Sequence, residues 1–263
     1  MYRGLACVLL LLMLPATPAV AAFPEGPPND PLYDASPLPN ATAEQWDLSS
    51  PALGFDRGIS VDRAWPLTLG EGVTIAEIDA GVDYGHPDLA GRWAPGGYDF
   101  YARDPDPTSD TQVSHGTNVA GVLGATADNG LGIAGIAPRS PILPIRTSDN
   151  IIHQGARIAE AIVYATDRGA RAISMSLGAD SFPGSLRRAV SYAHRHGVVM
   201  AVASGNEFHF HHHQPQVLDG VLAVGGVNPD SANLSARDQT LAQAASDFTT
   251  RASYSNYGAH LDV

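Results

Sequence analysis

The sequence has 263 residues, 44% hydrophobic and 16% charged, enough to bury a sizeable core within one α/β domain. Its formal net charge is −12 and its isoelectric point is near 5.1, which argues against nucleic acid or an anionic membrane as the main partner. Its 27 glycines and 20 prolines suit a loop-rich globular protein rather than a disordered one.

The N-terminus carries Arg3, an apolar core from Leu5 to Leu14 and the small-residue site Ala19-Val20-Ala21. This is the pattern of a secretory signal peptide over residues 1–21, too short to span a bilayer. Secretion, extracellular or periplasmic, is therefore expected. Cleavage after Ala21 removes Cys7, the single cysteine, so disulfides are excluded and a bound metal becomes a plausible source of stability. Residues 22–58 are rich in Pro, Asn, Asp and Ser and read as an extended arm, leaving residues 59–263 as the main domain. A short helix is expected around 61–65.

The stretch VTIAEIDAGVDYGHPDL, residues 73–89, organises the rest of the chain. Val73 to Ile78 reads as a buried parallel strand that delivers Asp79 at its carboxyl end, where open α/β sheets place their chemistry. Asp79 is either a turn residue closing the strand or a carboxylate that orients a histidine. Residues 98–110 hold Asp99, Asp104, Asp106 and Asp110 among prolines, a surface loop that could take a cation. SHGTNVAGVLGAT, residues 114–126, reads as a helix so rich in small residues that a neighbouring backbone must lie close to it. His115 at its start is either a cap-region residue or a base.

Beyond residue 126 strands and helices alternate. Strands are expected at 141–145, 172–177, 198–203 and 221–224. Helices are marked by Ile158, Ala161, Ile162 and Ala165, ending at Gly169, and by Leu186, Ala189, Val190 and Ala193, ending at Gly197. Strand and helix in alternation imply an α/β fold, a parallel sheet with helices on both faces.

Four motifs occur in order, each beside an expected strand or helix: IDAGVDYGHPDL, SHGTNVAGV, SMSLG and ASGN. Together they resemble the subtilisin-like serine proteases, most of all the thermitase type, over nearly the whole mature chain. The resemblance implies an endopeptidase acting on polypeptide substrates, secreted and monomeric. Asp79 would be the triad carboxylate, His115 the general base and then the general acid. Asn206 would donate its amide to the oxyanion. Ser176, Leu177 and Gly178 would pair with the substrate backbone as an added strand. The plainer readings are a strand end for SMSLG and a tight turn for ASGN. The resemblance also implies structural calcium, held by Asp30, Asp88 and Asn129 with the carbonyls of Thr126, Leu131 and Ile133. A second calcium site would use Asp99 and Asp104.

The chain departs from the family pattern in several places. The Gly-Thr-Ser-Met-Ala segment that carries the family's nucleophile is absent from the sequence; SNYGAHLDV, residues 255–263, resembles the stretch before it. Ser174, Ser176 and Ser204 do not stand at a helix start as a nucleophile should. The simplest expectation is a truncated piece of a longer enzyme that folds poorly alone; the alternative is an inactive relative that at most binds peptides. Ala80 stands where the family has a hydroxyl, and Asn118 where a second histidine is common. The loop 149–154 lacks the family's Gly-Ser-Gly edge strand. FHFHHHQP, residues 208–215, belongs to no family motif; its His209, His211, His212 and His213 are either a solvated loop or ligands for zinc or copper.

Overall fold

The computed structural model describes residues 23, 27–33, 45–48, 58–109, 115–150, 152–179, 181–208, 210, 214–227, 252, 254–258 and 261–262. The signal segment, most of the arm, Asp110 and the four loop histidines lie outside the described residues.

The central strand β1 (Ile75–Asp79) has no solvent-facing edge. It pairs in parallel with β3 (Ile142–Arg146) on one side and β5 (Ala172–Met175) on the other. Beyond β3 lies β2 (Tyr98–Asp99); beyond β5 lie β7 (Val199–Ala203) and β8 (Leu222–Val224). The order β2-β3-β1-β5-β7-β8 is parallel throughout. Strands covered on both faces are expected to be continuously apolar rather than alternating, and all of β3 is buried. A separate parallel pair joins β4 (Ile152–His153) to β6 (Gly178–Ala179).

Helices α2 (Gly155–Asp167) and α3 (Gly184–Arg195) cover one face of the sheet. Their apolar stripes, Ile158, Ala161, Ile162 and Ala165 with Leu186, Ala189, Val190 and Ala193, pack on Ala76, Ile78, Ile173, Met175, Met200 and Val202. Gly169 and Gly197 end these helices with φ of 82° and 74°, the left-handed conformation that glycine adopts without steric cost. The fold class is therefore the α/β one read from the sequence.

Successive side chains on a strand face opposite ways, so Glu77 and Asp79 share the face opposite Ala76 and Ile78. That face is covered by α1 (His115–Gly124). A Cβ at Gly116 would stand 2.4 Å from the Gly81 carbonyl oxygen and 2.9 Å from Glu77 Oε1, and one at Gly124 would stand 3.1 Å from Ile142 Cδ1. Two of the helix's glycines thus let it settle directly on β1 and β3. Farther along the same face, Val199, Leu222 and Val224 are 55%, 45% and 37% exposed, an apolar stretch that no described residue covers.

The described residues of the arm dock through a second small core. Tyr33, Leu48, Val61, Trp65, Leu69 and Ala134 are buried together, with Phe23 edge-on to Trp65 at 5.1 Å. Gln45 donates to the Ala134 carbonyl and accepts from its N–H, both at 2.8 Å. The expected helix around 61–65 is a short 3-10 turn, Val61–Arg63.

Candidate active site

Asp79 leaves β1 at its carboxyl end, 1% exposed, and the chain turns away at once through Gly81 with φ of 97°. A Cβ at Gly81 would meet the Pro107 carbonyl oxygen at 2.8 Å, so the turn has room only for glycine. His115 opens α1 opposite this turn. Its Nδ1 lies 2.7 Å from Asp79 Oδ1, which also accepts the Ala80 N–H at 2.6 Å. The other carboxylate oxygen, Oδ2, is buried without a partner among the described residues. The hydrogen bond to Asp79 raises the His115 pKa above its ordinary 6.5; partial burial opposes this, and the negative charge of Asp79 adds to it. Nδ1 is thus held, and Nε2 remains for exchange of a proton. Among the described residues no serine or threonine hydroxyl is hydrogen-bonded to His115.

The sheet order gathers three further features. Strands β1, β5 and β7 are consecutive neighbours, so their carboxyl ends lie side by side across about 10 Å. Asp79 ends the first, Ser176, Leu177 and Gly178 follow the second, and Asn206 follows the third. Asn206 is exposed, in a loop held from behind by Asn256. Asn256 Nδ2 donates to the Ser204 carbonyl at 2.9 Å, its N–H donates to the Gly205 carbonyl at 3.0 Å, and its Oδ1 accepts the Glu207 N–H at 3.1 Å. Leu177 is buried in the main core, Ser176 is half-buried, and Gly178 pairs with Ile152.

Three side chains at this site were not singled out from sequence. Glu77 is 1% exposed; burial, and then the charge of Asp79, pushes its pKa well above the usual carboxylate range. The signal was one acid inside an apolar run. His153, also 1% exposed, is bonded through Nδ1 to Thr147 Oγ1, and burial holds its pKa down at about 4. Asn256 carries no local signal, since its partners lie about fifty residues away. The loop 149–154 also needs correction: although it has no Gly-Ser-Gly, it does form a short strand, β4, because Ile152 and His153 find a partner in β6.

The residues named for calcium are brought together. Asp30 and Asp88 are 2% and 3% exposed. Asp30 accepts the N–H groups of Asp128 and Asn129, and Asp88 accepts Asn129 Nδ2 at 2.8 Å and the Ile133 N–H at 3.0 Å. Burial, opposed by these N–H bonds and helped by the charge of Asp88, raises the Asp30 pKa. Among the described residues Thr126 Oγ1 is buried without a partner, and no N–H claims the carbonyls of Thr126, Leu131 or Ile133. Each of the four carboxylate oxygens accepts a single N–H, and Asn129 Oδ1 accepts the Leu131 N–H at 2.7 Å. Each therefore keeps a lone pair beside the unclaimed carbonyls, and such an oxygen-only set is the kind a hard divalent cation takes. Among the described residues no three His, Cys, Asp or Glu side chains form a metal-holding group. The second expected site fares differently: Asp99 is committed to Arg146 at 3.1 Å and to the N–H groups of Tyr101 and Ala102, which leaves its carboxylate spoken for.

Comparison with known proteins places this geometry. The sequence model of the Peptidase_S8, subtilase, family matches residues 70–263. A thermophilic serine proteinase of Bacillus sp. (strain AK1) is 38% identical over 234 residues, 88% of this chain and 52% of that protein. Thermitase of Thermoactinomyces vulgaris is 35% identical over 206 residues, 78% of this chain and 66% of that protein. Among solved structures, a protease of Pseudoalteromonas arctica PAMC 21717 superposes with a TM-score of 0.70 at 28% identity, covering 90% of this chain and 71% of that one. The chain thus spans between half and two thirds of the length of those two curated relatives. By the extent of the family match and by these identities, the chain belongs to the subtilase family of serine proteases.

Proposed function

We propose that this chain is the larger part of a secreted serine endopeptidase, with a nucleophilic serine supplied by sequence outside these residues. The observation that carries the reading is the 2.7 Å contact between His115 Nδ1 and Asp79 Oδ1, with Asp79 buried at the end of the central strand. In this reading Asp79 fixes the His115 tautomer and stabilises the imidazolium. His115 Nε2 takes the serine proton as the hydroxyl attacks the peptide carbonyl, then gives it to the leaving amine. The Asn206 amide stabilises the oxyanion, and Ser176, Leu177 and Gly178 hold the extended substrate backbone. The uncovered apolar face at Val199, Leu222 and Val224 suits a further packed element beside α1.

Asp30, Asp88 and Asn129, with the Thr126, Leu131 and Ile133 carbonyls, would hold calcium, whose charge offsets two buried carboxylates and clamps the arm to the loop 126–133. No helix among the described residues is long and apolar enough to cross a membrane.

The test is peptide hydrolysis by the full-length gene product beside its His115→Gln variant. Cleavage by the parent that is lost in the variant supports the reading. A folded parent that binds peptides without cutting them supports the alternative, a peptide-binding module.

A further inference from the structure

We propose that His153 is a positioning residue that ties the substrate-pairing segment to the backbone of Asp79. The inference rests on the peptidase reading above and adds a component to it. The links run in one direct series. The Thr147 N–H donates to the Asp79 carbonyl at 3.0 Å. Thr147 Oγ1 is hydrogen-bonded to His153 Nδ1. His153 lies in β4, whose register sets Ile152 against Gly178 and His153 against Ala179. Gly178 is the last residue of the segment that would pair with substrate. A displacement of this imidazole therefore moves Gly178 relative to Asp79.

The surroundings show why an imidazole stands there. The loop from Thr147 to His153 is pinned by its own side chains: Ser148 Oγ donates to the Ile152 carbonyl at 3.1 Å, and Asn150 Oδ1 accepts the Ile152 N–H at 2.7 Å. With the loop so held, the ring projects inward and is 1% exposed. Nε2 is buried without a partner among the described residues, a cost that leucine or methionine would avoid while filling similar space. The ring's benefit must then lie in Nδ1, the only ring nitrogen that reaches across to the Asp79 side. Burial lowers the ring's pKa most; the charge of Asp79 on β1 and a hydrogen bond to the Asn150 backbone oppose it, while the charges of His115 on α1 and Arg157 on α2 add to it. A neutral ring keeps its hydrogen bonding to Thr147 Oγ1 and to the Asn150 backbone unchanged across the working range of His115.

The experiment uses the full-length gene product and two substrates, a tetrapeptide anilide that occupies the pairing segment and a single-residue ester that does not. His153→Leu is expected to raise KM for the tetrapeptide about tenfold, the size of effect produced by losing one hydrogen bond, and to leave the ester within about twofold. His153→Asn places an amide where Nδ1 stood and is expected to recover the tetrapeptide KM. His153→Gln places its amide where Nε2 stood and is expected not to. If Asn and Gln behave alike, or if Leu changes both substrates equally, the inference is overturned, and the Asn–Gln pair decides even if Leu fails to fold. A parent enzyme that cleaves neither substrate refutes the peptidase reading instead. The link is then read from amide exchange across β4 and β6, which should quicken in His153→Gln and hold in His153→Asn; equal exchange in the two overturns it.

Discussion

Replacing Asp79 by Asn changes one oxygen to an NH2 group and removes one buried charge. In the parent, Asp79 Oδ1 serves both the Ala80 N–H at 2.6 Å and His115 at 2.7 Å. The asparagine carbonyl can still accept from both, so the geometry survives. What is lost is the charge-assisted character of the bond to His115, worth about 1 kcal/mol beyond a neutral one. Both influences of Asp79 on His115 push its pKa upward, and the remaining one, burial, pushes it downward. The His115 pKa therefore falls in the variant from its raised parent value, because the charge is gone while the bond to the carbonyl remains. The sign also fixes the stability term. Parent His115 adds stability that is fully present below pH 6.5 and is lost as the pH rises through its raised folded value, and the variant lacks that term. In the proposed mechanism kcat falls about 10⁴-fold, because the amide no longer enforces the required imidazole tautomer and the imidazolium formed in the transition state loses its counter-charge. Histidine NMR titration reads the first effect and kcat against pH reads the second. A variant whose His115 titrates as high as the parent's, or that keeps kcat within about tenfold, would refute the reasoning.

Three other outcomes are expected from the same geometry. Asn206→Ala is expected to lower kcat by about 10²–10³-fold with KM nearly unchanged, and steady-state kinetics on a peptide substrate check it. Chelation is expected to lower the melting temperature by roughly 5–10 °C where calcium had been present at about 100 times its Kd; Asp88→Asn should melt at the lower temperature with or without calcium. Gly116→Ala puts a methyl group 2.4 Å from the Gly81 carbonyl oxygen, so α1 must back away. A loss of about 1–3 kcal/mol by denaturant unfolding is expected, along with a fall of the His115 pKa toward 6.5 as the helix carries it from Asp79.

Most of the sheet was readable because its strands are apolar on both faces, even at β7 and β8, where one face is exposed. Short apolar runs such as ILPI suit a buried strand at that length, and the helices between them carried clear stripes closed by Gly169 and Gly197. The two-residue strands β2, β4 and β6 were not readable, since a pair of residues has no period. The same limit explains the site. Asp79 and His115 announce themselves through the turns and small residues beside them. His153 sits in the polar run RTSDNIIHQ, where nothing local says that its ring turns inward. The small residues of α1 pointed correctly to a close neighbour, yet Gly116 and Gly124 find theirs on the sheet and the turn at Gly81. Asp99 looked like a cation ligand in an acidic loop; its partner Arg146 is brought to it only by the pairing of β2 with β3.

The central claim, that Asp79 and His115 activate a serine outside these residues, is tested most directly by serine-directed labelling of the full-length gene product. A fluorophosphonate probe followed by peptide mapping identifies the modified residue. The account predicts stoichiometric labelling of one serine outside residues 1–263, abolished in His115→Gln. Label on Ser174, Ser176 or Ser204, or no label on a folded protein, would contradict it.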